Sequence, residues 1–314
     1  MPFRRELTFS RGAEGKPKNV ALREILSLGA PGNDLFTQIG EITTDAEENI
    51  YVTDEYQYKV KKFNRTGALL NNYGTRGRQP GQFQAGPYEI QCLHDTLAIV
   101  EEGSSTVKFY TNNFVPVNDA RLGGAVVDFC LTQGGELFSS SIQPPSRSER
   151  TLMRYARNGC VASTIDLHGM AHDPILDMTL LCMDKNDNLF VAYLFMNRVL
   201  VYDHHQDCIS DFTVPSLPNV AATESDLKNL SAMPDNLVSD LAVDNRGNIF
   251  ILGGLLSPHP NRDVFVTDYH GNLQTRFLLP DQSGIIYLDN RGHIFTREKK
   301  RSVVKKYEVI YINF

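Results

Sequence analysis

The stretch from Ile39 to Phe83 is a run of short strand-like segments, ITTD, NIYVTDE, KVKKF and ALLNNYG, each closed off by turn residues. Most of the 314-residue chain replays that plan. A repeated supersecondary unit constrains the fold more than any other feature. One such unit cannot bury its own apolar face and has to stack on the next.

The repeat is tracked by its first turn. Asp45, Leu93, Thr132, Asp184, Asp244 and Asp289 stand at matching positions before a polar turn, 39 to 60 residues apart. In Asp244-Asn-Arg-Gly247 and Asp289-Asn-Arg-Gly292 aspartate comes first and glycine fourth, the chemistry of a type I turn. The β-branched and aromatic residues that follow suit a half-buried strand. From the anchor to the end of the third strand is 19 residues in three units, as in Asp45 to Asn64. The interval is 18 in the Leu93 unit and 24 in the units at Thr132 and Asp244, whose loops between strands two and three are longer.

Residues 1–21 read as a polar arm. Residues 22–36 match the end of a repeat: Leu28-Gly29 aligns with Tyr73-Gly74, and Phe36 with Phe83. The chain therefore opens on a fourth strand before any first strand, while the last unit ends at Phe314 with no room for one. Six units of about four strands predict an all-β fold, a six-bladed β-propeller closed by the N-terminal strand over 22–28. Closure also covers an edge that would otherwise invite pairing with other chains. Residues 22–314 form one propeller on this reading. The long connection at 210–238 is expected to carry a short helix from about Ser225 to Met233.

Composition narrows the function. A formal net charge of −6 argues against a chain that binds nucleic-acid backbone. No apolar run is long enough to span a bilayer. The basic N-terminus lacks an apolar core, so it does not read as a secretory signal. The expectation is a cytoplasmic protein, the alternative being an exported one whose signal is absent from this sequence. Five scattered cysteines without CxxC spacing read as free thiols, with Cys92, Cys130 and Cys182 inside apolar strands.

The stretch from Ile42 to Leu70 resembles an NHL-type repeat, and the linker from Tyr73 to Phe83 is similar to the glycine-rich connection between such blades. Asp244-NRGNIFI and Asp289-NRGHIFT resemble the same core. The resemblance implies a six-bladed propeller of the NHL-like superfamily. Its members serve mainly as platforms for ligands, proteins or nucleic acids, with metal-dependent enzymes among their relatives. Gluconolactonase-like propellers carry a Pro-Asp-Gly-like text where this chain has Ser239-Asp240-Leu241, which shifts the aspartate by one position.

Propeller topology sorts polar residues onto two faces. Four residues before each first-turn anchor stand Glu41, Glu89, Asp128, Leu180, Asp240 and Ile285. Four carboxylates at one register suit an acidic funnel that holds a cation or a cationic ligand. The competing role for each is to cap backbone N–H groups or pair with an arginine. Around the same mouth the loops are acidic at Asp54-Glu55-Tyr56 and Glu101-Glu102. They are mostly basic at Arg147, Arg150, Arg262 and Arg297 to Arg301, with His259 nearby. Such a rim suits a polar or zwitterionic ligand or a peptide. His94, His204, His205, His270 and His293 fall on the opposite face. Only His168, His172 and His259 reach the mouth, which is poor support for a zinc site. No nucleophile elbow, P-loop or dinucleotide fingerprint is present. The expected function is non-enzymatic binding of a protein, peptide or small polar ligand at the mouth through Glu41, Glu89, Asp128, Asp240, Tyr56, Arg147, Arg150, His259 and Arg262. The alternative is a metal-dependent hydrolase or lyase using the same carboxylates. The one cofactor class they suit is a divalent cation such as calcium.

Overall fold

In a computed structural model, residues 19–29, 34–142, 151–157, 159–167, 176–220, 234–298 and 302–312 are described. They form six antiparallel sheets of four strands each. The chain is a six-bladed β-propeller, and the described residues contain no helix. Blades one to five run 39–73, 87–121, 125–166, 179–212 and 238–278. Blade six takes three strands from 283–312, and its outermost strand is Asn19–Leu28, paired antiparallel with Val304–Ile312. This is the closure read from the sequence, begun at Asn19 instead of Leu22. The arm through Lys18 and the expected helix at 225–233 fall outside the described residues.

In blades one, four, five and six the first turn is held by its aspartate anchor. The Asp184 carboxylate accepts the N–H groups of Asn186 and Asn188 and the side-chain amide of Asn188, at 2.8 to 2.9 Å. Asp244 repeats this with Arg246 and Asn248, and Asp289 with Arg291 and His293. The fourth turn residue is left-handed. Gly247 and Gly292 supply it at φ 83° and 79°, while Glu48 and Asp187 adopt it at 65° and 61°. The turn survives without glycine in blades one and four because the aspartate cap over-determines it.

The alignment of Gly29 with Gly74 also holds, at φ 87° and 92°. A Cβ on Gly74 would lie 2.5 Å from the Phe83 ring. Phe36 and Phe83 occupy equivalent places, each with a third-strand lysine over its ring: Lys61 at 4.9 Å and Lys108 at 5.6 Å. Those lysines pair with the acid ending the second strand, seven residues earlier. Lys61 meets Asp54 at 3.0 Å, Lys108 meets Glu101 at 2.5 Å and, in blade six, Lys305 meets Glu298 at 3.1 Å. Asp54 also accepts the N–H groups of Thr37 and Gln38, and Glu101 those of Gln84 and Ala85. Acid, lysine and aromatic ring thus lock the linker between blades onto the next sheet. Apolar clusters between neighbouring sheets supply the core, such as Phe190, Val199, Leu237, Leu241 and Phe265 between blades four and five.

The connection after blade four is anchored at its start. Val214 and Leu217 are buried, and the Asn197 side chain bonds the Val214 N–H and the carbonyls of Val214 and Leu217.

Candidate functional site

The innermost strands enclose a cavity of about 340 Å³ along the propeller axis. Glu41, Glu89, Asp128 and Asp240 all line it, together with Leu180 and Ile285, so the shared register does put these positions on the channel wall. Local backbone explains the aim of the acids. In blades one, two, three and five the pairing of the first and second strands shifts register just before or across the acid, as between Val126 and Asp128. Such bulges turn a side chain out of the regular alternation. Blade four has no such shift, and its residue there is Leu180.

The four carboxylates differ in what they touch. Asp128 accepts the N–H of Phe129 at 2.7 Å and the N–H of Leu181, in blade four, at 2.6 Å. Asp240 accepts the N–H of Leu241 at 2.8 Å and the N–H of Ile286, in blade six, at 2.7 Å. Each therefore staples its own first strand to the next one, with both oxygens used. Glu41 makes only the first half of this contact, accepting the Ile42 N–H at 2.9 Å. Glu89 accepts no hydrogen bond from any described residue. Asp128 and Asp240 thus play the capping role and Glu41 half of it, while Glu89 is left to the channel.

Arg297 was visible in the sequence only as the first residue of a basic run, and it is a channel residue. Its guanidinium lines the cavity and donates to the carbonyls of Ile39 at 2.5 Å and Gly40 at 2.7 Å. Gly284 makes room for it, since a Cβ there would lie 2.6 Å from Nη2. Tyr88, beside Glu89, also lines the cavity and is 39% exposed.

At the first-strand entries, four carboxyls face the Arg297 guanidinium, and this end of the channel favours holding protons. Burial and then Asp240 hold Glu41 well above the ordinary carboxylate range, with Arg297 opposing. Burial, Glu41, Asp128 and Asp240 do the same to Glu89. Asp128 is pushed up to about 8 by burial, against its bond from Leu181. Asp240 is pushed up to about 7 by burial, against its bonds from Ile286 and Leu241. Desolvation and like charge act in the same direction on each acid.

Among the remaining sequence-derived candidates, Tyr56, His259 and Arg262 do not line this cavity. Tyr56 is 69% exposed on the loop of blade one. His259 Nδ1 lies 3.3 Å from Asp263, a wholly buried acid that also pairs with Arg276 at 2.7 Å. Arg262 donates to the Leu279 carbonyl at 2.8 Å. Both therefore help to hold the long loop of blade five. Arg147, Arg150, His168 and His172 fall outside the described residues. Two rim acids are not on the rim, since Asp54 and Glu101 are buried in the ion pairs described above. Among the described residues, no three His, Cys, Asp or Glu side chains form a group that could hold a metal ion.

No protein-family profile matches the sequence. No curated protein matches it significantly. Solved structures do match. A Bacteroides fragilis protein thought to be exported superposes with a TM-score of 0.63 at 11% identity, over 94% of this chain and 96% of that one. Selenomethionine-substituted virginiamycin B lyase from Staphylococcus aureus does so at 0.56 and 11%, over 94% and 90%. The WD40 domain of Neurospora crassa Pan2 gives 0.55 and 12%, over 91% and 94%. The likeness is one of fold alone. No described helix is long and apolar enough to cross a membrane.

Proposed function

We propose that this chain is a non-enzymatic binding propeller of the NHL-like kind, and that its ligand presents a cationic group to the channel mouth. One observation carries the reading: at a register where Asp128 and Asp240 are consumed by backbone, Glu89 has no described partner and Glu41 keeps one oxygen unbridged. The aspartate-capped first turn common to blades one, four, five and six supports the NHL-like placement. Glu41 and Glu89 form the anionic contact, and the Tyr88 ring beside them suits a cation by its π-face. Arg297 sets the limit on charge and leaves room for a polar or zwitterionic ligand, whether a peptide or a small molecule.

A cation entering the site relieves the repulsion between the acids and stabilises the folded state by mass action. Melting curves of the native protein and of Glu41→Gln/Glu89→Gln, with and without calcium and with and without arginine amide, test this. The reading predicts that at least one cation raises the melting temperature of the native protein. It also predicts that the double variant melts higher unaided and no longer responds. A double variant that melts lower, with neither protein responding to either cation, overturns it.

A further inference from the structure

The Arg297 guanidinium is held in the channel by backbone and not by an acid. Nη1 donates to the carbonyls of Ile39 and Gly40, in blade one, and no carboxylate among the described residues pairs with the group. Nε and Nη2 donate to no described residue, although the side chain lines the channel. That free edge is the fork of a guanidinium that takes a carboxylate in two parallel hydrogen bonds. Its position is fixed from the other edge, since turning the side chain away gives up both main-chain bonds.

The same few residues carry the acids. Gly40 precedes Glu41 in the chain, and a Cβ on Gly40 would collide with the carbonyl oxygen of Tyr88, the residue before Glu89. The guanidinium thus rests on the carbonyl of Gly40, Glu41 follows it, and Glu89 leaves from the strand packed against it. A cationic fork and the two carboxyls least used by backbone flank one spot in the channel. Glu41, Glu55, Glu89 and Asp240 all feel the charge of Arg297, yet burial keeps all four raised. The fork therefore faces less negative charge than a count of acids implies. At the register of the acids, blades four and six carry Leu180 and Ile285, which also line the channel. Ile285 adjoins Gly284 beside Arg297, and blade four lies across the ring from blade one.

We propose that the ligand of this mouth is a free α-amino acid with an apolar side chain, an inference that rests on the cationic-mouth reading above. Its carboxylate takes the Nε and Nη2 edge of Arg297, and its ammonium meets Glu41 and Glu89. Its side chain lies toward Leu180 and Ile285. An α-amino acid carries both charges on one carbon, and a ligand lacking either one leaves a charged group of the site without its partner.

Isothermal titration calorimetry of the full chain at pH 7 with leucine, leucinamide and 4-methylpentanoate separates these contacts. Leucinamide keeps the ammonium and the side chain and loses the carboxylate, while 4-methylpentanoate loses the ammonium. A two-point charge-assisted contact is worth about tenfold or more in affinity. Leucine is therefore expected to bind about tenfold or more tighter than either analogue. Arg297→Gln is expected to bring leucine and leucinamide to within about threefold of each other. The comparison on the native protein stands by itself if that variant does not fold. Leucinamide binding as tightly as leucine, or the preference for leucine persisting in Arg297→Gln, overturns the amino-acid ligand and leaves the cationic mouth standing. Equal binding of 4-methylpentanoate overturns both. Absence of leucine binding while calcium or arginine amide raises the melting temperature overturns the ligand class alone, and no response to any of these probes overturns both.

Discussion

Replacing Asp128 by alanine removes the acceptor of two main-chain N–H groups, those of Phe129 and Leu181. Asp128 is 7% exposed, so water reaches these groups poorly once the carboxyl is gone. Each unpaired N–H costs about 1–3 kcal/mol, and the two together about 2–6. Part of this is offset, because burial disfavours the ionised acid and pushes it up to about 8. The net expectation is a loss of about 2–4 kcal/mol, which in a domain of this size lowers the melting temperature by roughly 4–10 °C. Glu89 stands at the same register one blade earlier and accepts no bond from a described residue, so Glu89→Gln removes only a penalised charge. It is expected to raise stability by about 0.5–2 kcal/mol. Thermal and urea unfolding of the two variants at neutral pH, followed by circular dichroism, measure both effects. Shifts of the same sign in the two variants would refute the division of the channel acids into staples and ligand contacts.

Deleting residues 1–30 removes the strand that pairs with Val304–Ile312, and aggregation or loss of soluble protein is expected; a truncated chain that stays monomeric with unchanged melting contradicts the closure. Lys61→Met leaves Asp54, which is wholly buried, without its ammonium partner and should cost about 3–5 kcal/mol in urea unfolding. The channel acids have raised folded-state values, so the folded chain holds protons that the unfolded chain releases above about pH 4. Their contribution is therefore fully present at low pH and is lost as pH rises through about 7 for Asp240 and about 8 for Asp128. The slope is about 1.4 kcal/mol per pH unit for each extra proton, and Glu41→Gln/Glu89→Gln should flatten it in urea titrations across that range.

Much of this architecture was legible because the repeat writes it in residue types with local physical consequences. Aspartate before a turn, glycine at a left-handed position and an aromatic ring closing a linker, as at Phe36 and Phe83, act within a few residues of themselves. Gly29 and Gly74 could therefore be aligned from sequence, and the orphan strand assigned to blade six. The channel register was also legible, since Glu41, Glu89, Asp128 and Asp240 keep one distance from their anchors. The sorting of these acids was not legible. Whether a carboxylate meets the N–H of the next blade depends on how closely two inner strands approach, and spacing along one chain carries no such distance. Asp54 and Glu101 were read as rim charges because they adjoin exposed loop residues. A signal was present, since an acid ends the second strand and a lysine follows seven residues later in blades one, two and six. Arg297 was hidden by the basic residues after it, and the small Gly284 that makes room for it lies on a neighbouring strand.

The most direct measurement is a crystal structure of the protein grown with the cation that raises its melting temperature. Difference density is predicted in the channel between Glu41 and Glu89, against the Tyr88 ring, with Asp128 and Asp240 still bonded to Leu181 and Ile286. Density centred on Asp128 or Asp240 with those backbone bonds broken, or a cation seated away from the channel, would contradict the assignment of Glu41 and Glu89 as the ligand contacts.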